Sequence, residues 1–233
     1  MPRQTSKGIC TLCHAEFSKS GMTKHLESCL QQAVIEAETG SRKKAQKSKV
    51  FHLVVEGRDR PVYWMHLDVP AGVTLTTLDG FLRHTWLECC GHLSAFEIGG
   101  VRYSVDAGMF DDGMGMGEKS MRVRLDKVLS PGQVSSYEYD YGSTTELIVK
   151  VVSEREAALK GKTIQVLARN NAPVIPCGVC GKPATSVCSV CSYEEDGWLC
   201  DECADKHKCG EDMLLPVVNS PRVGECAYTG EDG

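Results

Sequence analysis

Val50-Phe-His-Leu-Val-Val-Glu-Gly57 and Tyr63-Trp-Met-His-Leu-Asp-Val69 read as the two arms of a β-hairpin, and the rest of the chain is organised around them. Phe51, Leu53 and Val55 alternate along the first arm and Tyr63, Met65, Leu67 and Val69 along the second, the period of two that gives a strand one apolar face. Gly57 to Pro61 supply the turn. Downstream the period changes: Leu75, Leu78, Leu82 and Trp86 form one stripe, with Thr76 and Asp79 as a capping pair and Gly91 as the stop. A helix is expected to pack on the hairpin. Further strands are expected at Phe96 to Ile98 and Val101 to Val105 about the Gly99-Gly100 turn, then at Met121 to Leu125, Tyr137 to Tyr141, Leu147 to Val152 and Ile164 to Ala168. The fold class is α+β, a mixed or antiparallel sheet with one main helix, in the strand order of a β-grasp-like core.

On either side of this core, placed at residues 50–172, cysteines take over. The 233-residue chain has 13, and ten of them sit at metal-ligand spacing. In residues 1–40, Cys10-x-x-Cys13 puts two thiolates on a knuckle. His25 and Cys29 lie one turn apart on a following helix, marked by Leu26, Leu30, Val34 and Ala37 and stopped at Thr39-Gly40. Four such ligands close a tetrahedron around zinc, with Phe17 and Met22 as the small core beneath. In residues 173–233, Cys177-x-x-Cys180, Cys188-x-x-Cys191, Cys200-x-x-Cys203 and His207-x-Cys209 offer eight ligands, enough for two zinc ions. In a cross-braced arrangement Cys177, Cys180, Cys200 and Cys203 share one ion, and Cys188, Cys191, His207 and Cys209 share the other. Cys226 is an alternative to Cys209, or a free cysteine packed on the module. Met213 to Val218 should run as an extended apolar strand, and Cys89 and Cys90 read as buried small residues. Three structural zinc ions are expected, each saturated by protein ligands and lacking the open position of a catalytic zinc.

Charge separates the two ends: residues 1–50 carry nine Lys or Arg against four acids, and residues 177–233 four against eleven. The run 41–49 reads as a solvated basic linker. Together with the finger it offers Lys19, Lys24, Arg42, Lys43, Lys44, Lys47 and Lys49 to phosphates. A lone finger reads about three base pairs, so sequence-specific DNA binding is not expected from it. No apolar run reaches the ~18 residues that cross a bilayer, and a signal-peptide stretch is lacking. With paired cysteines in a reducing compartment, the expectation is a cytoplasmic protein without a membrane partner.

Several short stretches carry family resemblances. Arg60-Pro-Val-Tyr-Trp64, Val69-Pro-Ala-Gly-Val-Thr-Leu75, His92-Leu-Ser-Ala-Phe-Glu-Ile-Gly-Gly100 and Tyr137-Glu-Tyr-Asp-Tyr-Gly142 resemble, in order, the plasmid pRiA4b ORF-3-like family, also labelled a transposon-passenger family. That resemblance implies an association with mobile elements and no established activity. After Gly142 the family commonly has an acid and a Trp, where this chain has Ser143, Thr144 and Thr145. Cys10-Thr-Leu-Cys13 through His25-Leu-Glu-Ser-Cys-Leu30 resembles the ubiquitin-binding fingers of DNA-repair proteins. The C-terminal pairs resemble B-box fingers and, in their His-x-Cys ending, the double-zinc fingers of stress-associated proteins. Both share the interleaved ligand order.

Catalytic patterns are not evident. In Gly113-Met-Gly-Met-Gly-Glu-Lys119-Ser120 the glutamate breaks the phosphate-loop spacing, and the segment reads as a flexible loop. Asp106, Asp111, Asp112, Glu138 and Asp140 are a candidate acidic site, against a solvent face of a strand. His52, His66, His84 and His92 lack an identifiable nucleophile partner. The expectation is a noncatalytic zinc protein that engages a protein partner. Nucleic-acid binding through the basic N-terminal region is the second reading, and an enzyme site within the central domain, its small-molecule substrate open, is the third.

Overall fold

The computed structural model describes residues 6–40, 47–107, 117–157 and 164–230, residues 33–40 by their backbone. The structure is mostly sheet with few helices. A hairpin of β1 (Lys7–Cys10) and β2 (Glu16–Ser18) leads into α1 (Lys19–Gly40). The central part holds β3 (Ser48–Gly57), β4 (Trp64–Pro70), α2 (Leu75–Leu82), β5 (Ser94–Ile98), β6 (Val101–Ser104), β7 (Lys119–Ser120), β8 (Val134–Tyr139), β9 (Thr145–Ala157) and β10 (Gln165–Asn170). The C-terminal part holds β11 (Ser186–Cys188), β12 (Trp198–Leu199), α3 (Asp201–Ala204) and β13 (Leu214–Pro216).

Strands β1 to β10 form one mixed sheet in the order β2-β1-β10-β4-β3-β9-β8-β5-β6-β7. Among the described residues only β6 and β7 pair in parallel. The hairpin is the centre, its register pairing Phe51 with Val69 and Val55 with Met65. This ten-stranded sheet is larger than a β-grasp-like core, and the helix of its central part, α2, has 8 residues against 22 in α1 of the N-terminal segment.

Side-chain alternation sorts the sheet into two differently covered faces. Phe51, Leu53, Val55, Met65, Leu67 and Val69 point to the face covered by Leu75, Leu78, Leu82 and Trp86, and all are buried. Each such side chain contributes about 1.5–3 kcal/mol on burial, so this layer is the main store of stability. Trp64 points the other way and joins Cys10, Met22, Leu26, Leu167 and Ala168 in a second core. Phe17 packs on this second core too, and the side chains of Val34 and Ala37 lie outside the described ones.

Three local expectations are corrected. The N-cap of α2 is Thr74, whose hydroxyl accepts the Thr77 N–H at 3.3 Å, and Asp79 turns inward to accept from Ser94 Oγ (2.6 Å) and Tyr137 OH (2.7 Å). Met121 to Leu125 is not a strand. Its carbonyls serve the helix start instead, Val123 accepting from Leu75 N–H and Met121 from Thr76 N–H, which satisfies amides that a first turn leaves unpaired. Asp140 is not on a solvent face: it is buried, ends β8 at φ 64°, and pairs with Arg222.

Candidate metal centres

The first turn of the finger is a tight knuckle: Cys10 N–H donates to Ala15 C=O at 3.0 Å and His14 N–H to Cys10 C=O at 2.9 Å, with His14 at φ 61°. Ser18 accepts the Gly21 N–H and starts α1, and that start sets His25 and Cys29 one turn apart and facing the knuckle. The ligand atoms of Cys10, Cys13, His25 and Cys29 all lie within 4.8 Å of one another. Phe17 stacks on His25 with ring centroids 4.0 Å apart. The knuckle is joined to the main sheet: β1 pairs with β10, and Thr11 N–H donates to Leu167 C=O at 2.9 Å. Gly8 permits this approach, since a Cβ there would stand 2.3 Å from Arg169 O and 2.6 Å from the Trp64 ring.

In the C-terminal part the ligands assemble in two interleaved sets, Cys177, Cys180, Cys200 and Cys203, and Cys188, Cys191, His207 and Cys209, each within 4.8 Å. β11 pairs with both β12 and β13, so the Met213 to Val218 stretch contributes a short strand that extends the sheet beside β11. Burial pushes the Cys177 and Cys188 thiols up, yet converging backbone N–H groups hold them down at about 6 and about 7. That favours the thiolate, the form that binds metal, in one cysteine of each set, whereas hydrogen bonding to Cys209 pushes Cys191 up to about 12 and burial pushes Cys203 up to about 12. His207 Nε2 is buried without a hydrogen-bond partner. Soft thiolate donors with one imidazole, an orphaned ring nitrogen and no disulfide among the described cysteines fit a bound metal ion.

A fourth group was not legible in the spacing: Cys89, Cys90, His92 and Cys226, again within 4.8 Å of one another. Cys226 therefore groups with Cys89, Cys90 and His92 rather than replacing Cys209, and Cys89 is half-buried and Cys90 exposed rather than buried filler. The available signal was arithmetic. These three are the cysteines left over once the spaced pairs are assigned.

The other candidates are placed as follows. Lys19 pairs with Glu56, and Lys49 with Glu154 at 3.1 Å, while Lys24 is exposed on α1. Lys47 is described and has a partner, and Arg42, Lys43 and Lys44 lie outside the described residues. Of the acidic candidates, Glu138 pairs with Arg102 at 2.9 Å and Asp140 with Arg222 at 2.7 Å, and Asp111 and Asp112 lie outside, as does most of the glycine loop. A groove of about 850 Å³ runs between α1 and the sheet. Its lining carries hydroxyls, Lys150 and the Lys19–Glu56 pair, but no histidine or cysteine to activate them.

Two histidines that looked scattered are brought together. His52 and His66, diagonal neighbours on β3 and β4, bond through Nε2 and Nδ1 at 2.9 Å with both rings buried. Burial pushes His52 down to about 4 and His66 to about 3, so the pair is neutral at pH 7. The unfolded chain binds protons near pH 6.5 and the fold resists them. Stability is therefore full above pH 6.5 and falls as pH drops toward 4, by about 3 kcal/mol per depressed group. Urea midpoints between pH 7.5 and 5 should show this decline, and His66→Gln should make it shallower. Equal slopes would remove the pair as its source.

The sequence model of the plasmid pRiA4b ORF-3-like protein family matches residues 49–184. The chain belongs to this family. The match spans the central strands and ends just past the Cys177-x-x-Cys180 pair, so most candidate metal ligands lie outside the family region. No curated protein matches. A solved structure of a protein of unknown function from Methanosarcina mazei Go1 is 19% identical, over 54% of this chain and 72% of that one, with a TM-score of 0.46. No described helix is long and apolar enough to cross a membrane.

Proposed function

We propose that the chain is a noncatalytic zinc-binding adaptor in which zinc at the N-terminal finger and at the two C-terminal sets shapes surfaces for a protein partner. The observation that carries this reading is saturation: each set already supplies four protein donors, which leaves a tetrahedral zinc no position for water or substrate. Three of the four Cys-x-x-Cys pairs also share a surface chemistry. Leu12, Val179 and Val190 occupy the position before the second cysteine of their pairs, and each is exposed, at 42%, 64% and 64%. Aliphatic tips on rigid metal knuckles suit apolar contact with a protein. The family's plasmid label supports placing this role in mobile-element biology.

The test is an affinity capture from cell extract in high salt, with wild type and a Leu12→Asp, Val179→Asp, Val190→Asp variant. A protein retained by wild type, lost with the variant and lost on chelation is the expected result. Retention of nucleic acid that falls steeply with salt and ignores the variant would instead favour phosphate contact by the basic N-terminal region.

A further inference from the structure

We propose that Cys89, Cys90, His92 and Cys226 form a fourth zinc site, one that clasps the C-terminal strap to the end of α2. The distances fit: Cys90 Sγ lies 3.7 Å from Cys226 Sγ, and Cys226 Sγ 3.6 Å from His92 Nε2. A tetrahedral ion with Zn–S near 2.3 Å sets its sulfurs about 3.8 Å apart. Three sulfurs and a ring nitrogen converge without any disulfide.

The surroundings hold these donors in place. After α2 the chain makes a π-helical turn, Arg83–Leu87, and Glu88 then accepts the Gly91 N–H at 2.6 Å and Arg83 Nε at 2.7 Å, which fixes the Cys89-Cys90 corner. Gly91 adopts φ 74°, a left-handed conformation that lets the chain reverse so that His92 faces the same point. Across the gap, Cys226 itself stands at φ 52°, an uncommon conformation for a non-glycine residue, adopted where turns at Arg222 and Glu225 aim its thiol inward. Arg222 Nη2 lies 3.4 Å from Cys89 Sγ, a buried cation placed to offset thiolate charge and orient the ligand. Asp140 Oδ2 stands 3.6 Å from His92 Nε2 and is itself held by Arg222.

The assignment also completes the cysteine inventory. With this group, all 13 cysteines belong to four-donor sets. The first three sets are local in sequence or nearly so, whereas this one spans 134 residues between His92 and Cys226. Its metal would tie the strap to the family domain, and exposed Cys90 and Cys226 leave it open to exchange with solvent.

The site rests on the same zinc chemistry as the proposed function, so the test counts sites separately. Cadmium-substituted protein should give four cadmium NMR resonances, and metal analysis of the zinc form four ions per chain. Cys226→Ser, or Cys90→Ser if that variant folds poorly, should remove one resonance and leave three. Three ions in wild type, or four in the folded variants, would overturn the clasp while leaving the other sites standing. A Cys90–Cys226 disulfide, seen as two thiols lost to maleimide labelling together with a count of three, would overturn it as well. A count near zero would sink both proposals.

Discussion

Stripping metal with a strong chelator at neutral pH is expected to unfold the C-terminal part while the main sheet keeps its structure. The reason is the small amount of apolar surface available there. β11, β12 and β13 have three, two and three residues, and the buried apolar side chains other than cysteines in this sheet are essentially Val187 and Leu199. Such a set cannot offset the ~1–2 kcal/mol of backbone entropy each ordered residue costs. A structural zinc would contribute an apparent ~10–16 kcal/mol per site at pH 7, so the module stripped of metal is expected to have no stable fold of its own. By contrast the central layer around Phe51, Leu67 and Trp86 needs no ion. Hydrogen exchange should show protection lost across residues 176–216 and retained in β3, β4 and β9. Protection retained in both regions after metal loss, verified by elemental analysis, would contradict the account. Val187 also packs on the central core, so the stability of the main sheet should drop modestly in the same experiment.

Arg222→Ala is expected to cost about 3–5 kcal/mol, the penalty for leaving a buried charge unpaired. Arg222 is fully buried, and it donates to Asp140 Oδ2 (2.7 Å), Ser143 C=O (3.0 Å) and Thr145 Oγ1 (3.0 Å). Its guanidinium also stacks on Tyr139 at 4.8 Å. Burial raises the Asp140 carboxyl, yet Arg222 and backbone N–H groups hold it below the usual range, so removing the cation strands a carboxylate. Arg222→Lys should recover part of the loss, because an ammonium keeps the charge without the planar fork. The surface pair Arg58–Glu146 is the control: Arg58→Ala should cost no more than about 1 kcal/mol. Urea unfolding of the three variants measures the differences, and a similar small cost for both alanine variants would show that Arg222 does not anchor the strap.

The same residue explains why part of the site was invisible in the linear chain. Arg222 lies in Ser220-Pro-Arg-Val-Gly224, a stretch without apolar period or motif, and reads as tail. In the fold Val223 enters the main core, Ser220 Oγ donates to Trp86 C=O at 2.6 Å, and Arg60 donates to Val223 C=O at 2.6 Å. Nothing about these partners is encoded in spacing. The buried His52–His66 bond was hidden for a related reason: alternation places both on the face away from α2, but register decides that they meet.

Local chemistry was enough for the hairpin, the stripe of α2 and the grouping of three Cys/His clusters that could hold a metal. Periodicity and Cys-x-x-Cys spacing act over a few residues, where chain geometry leaves few choices. Which strands become neighbours, that β1 extends the sheet through β10, and that Cys226 reaches Cys89, Cys90 and His92 were decided by tertiary structure alone. The last two join segments more than a hundred residues apart, and they depend on how two core faces and a folded-back strap bury surface together rather than on any local pattern.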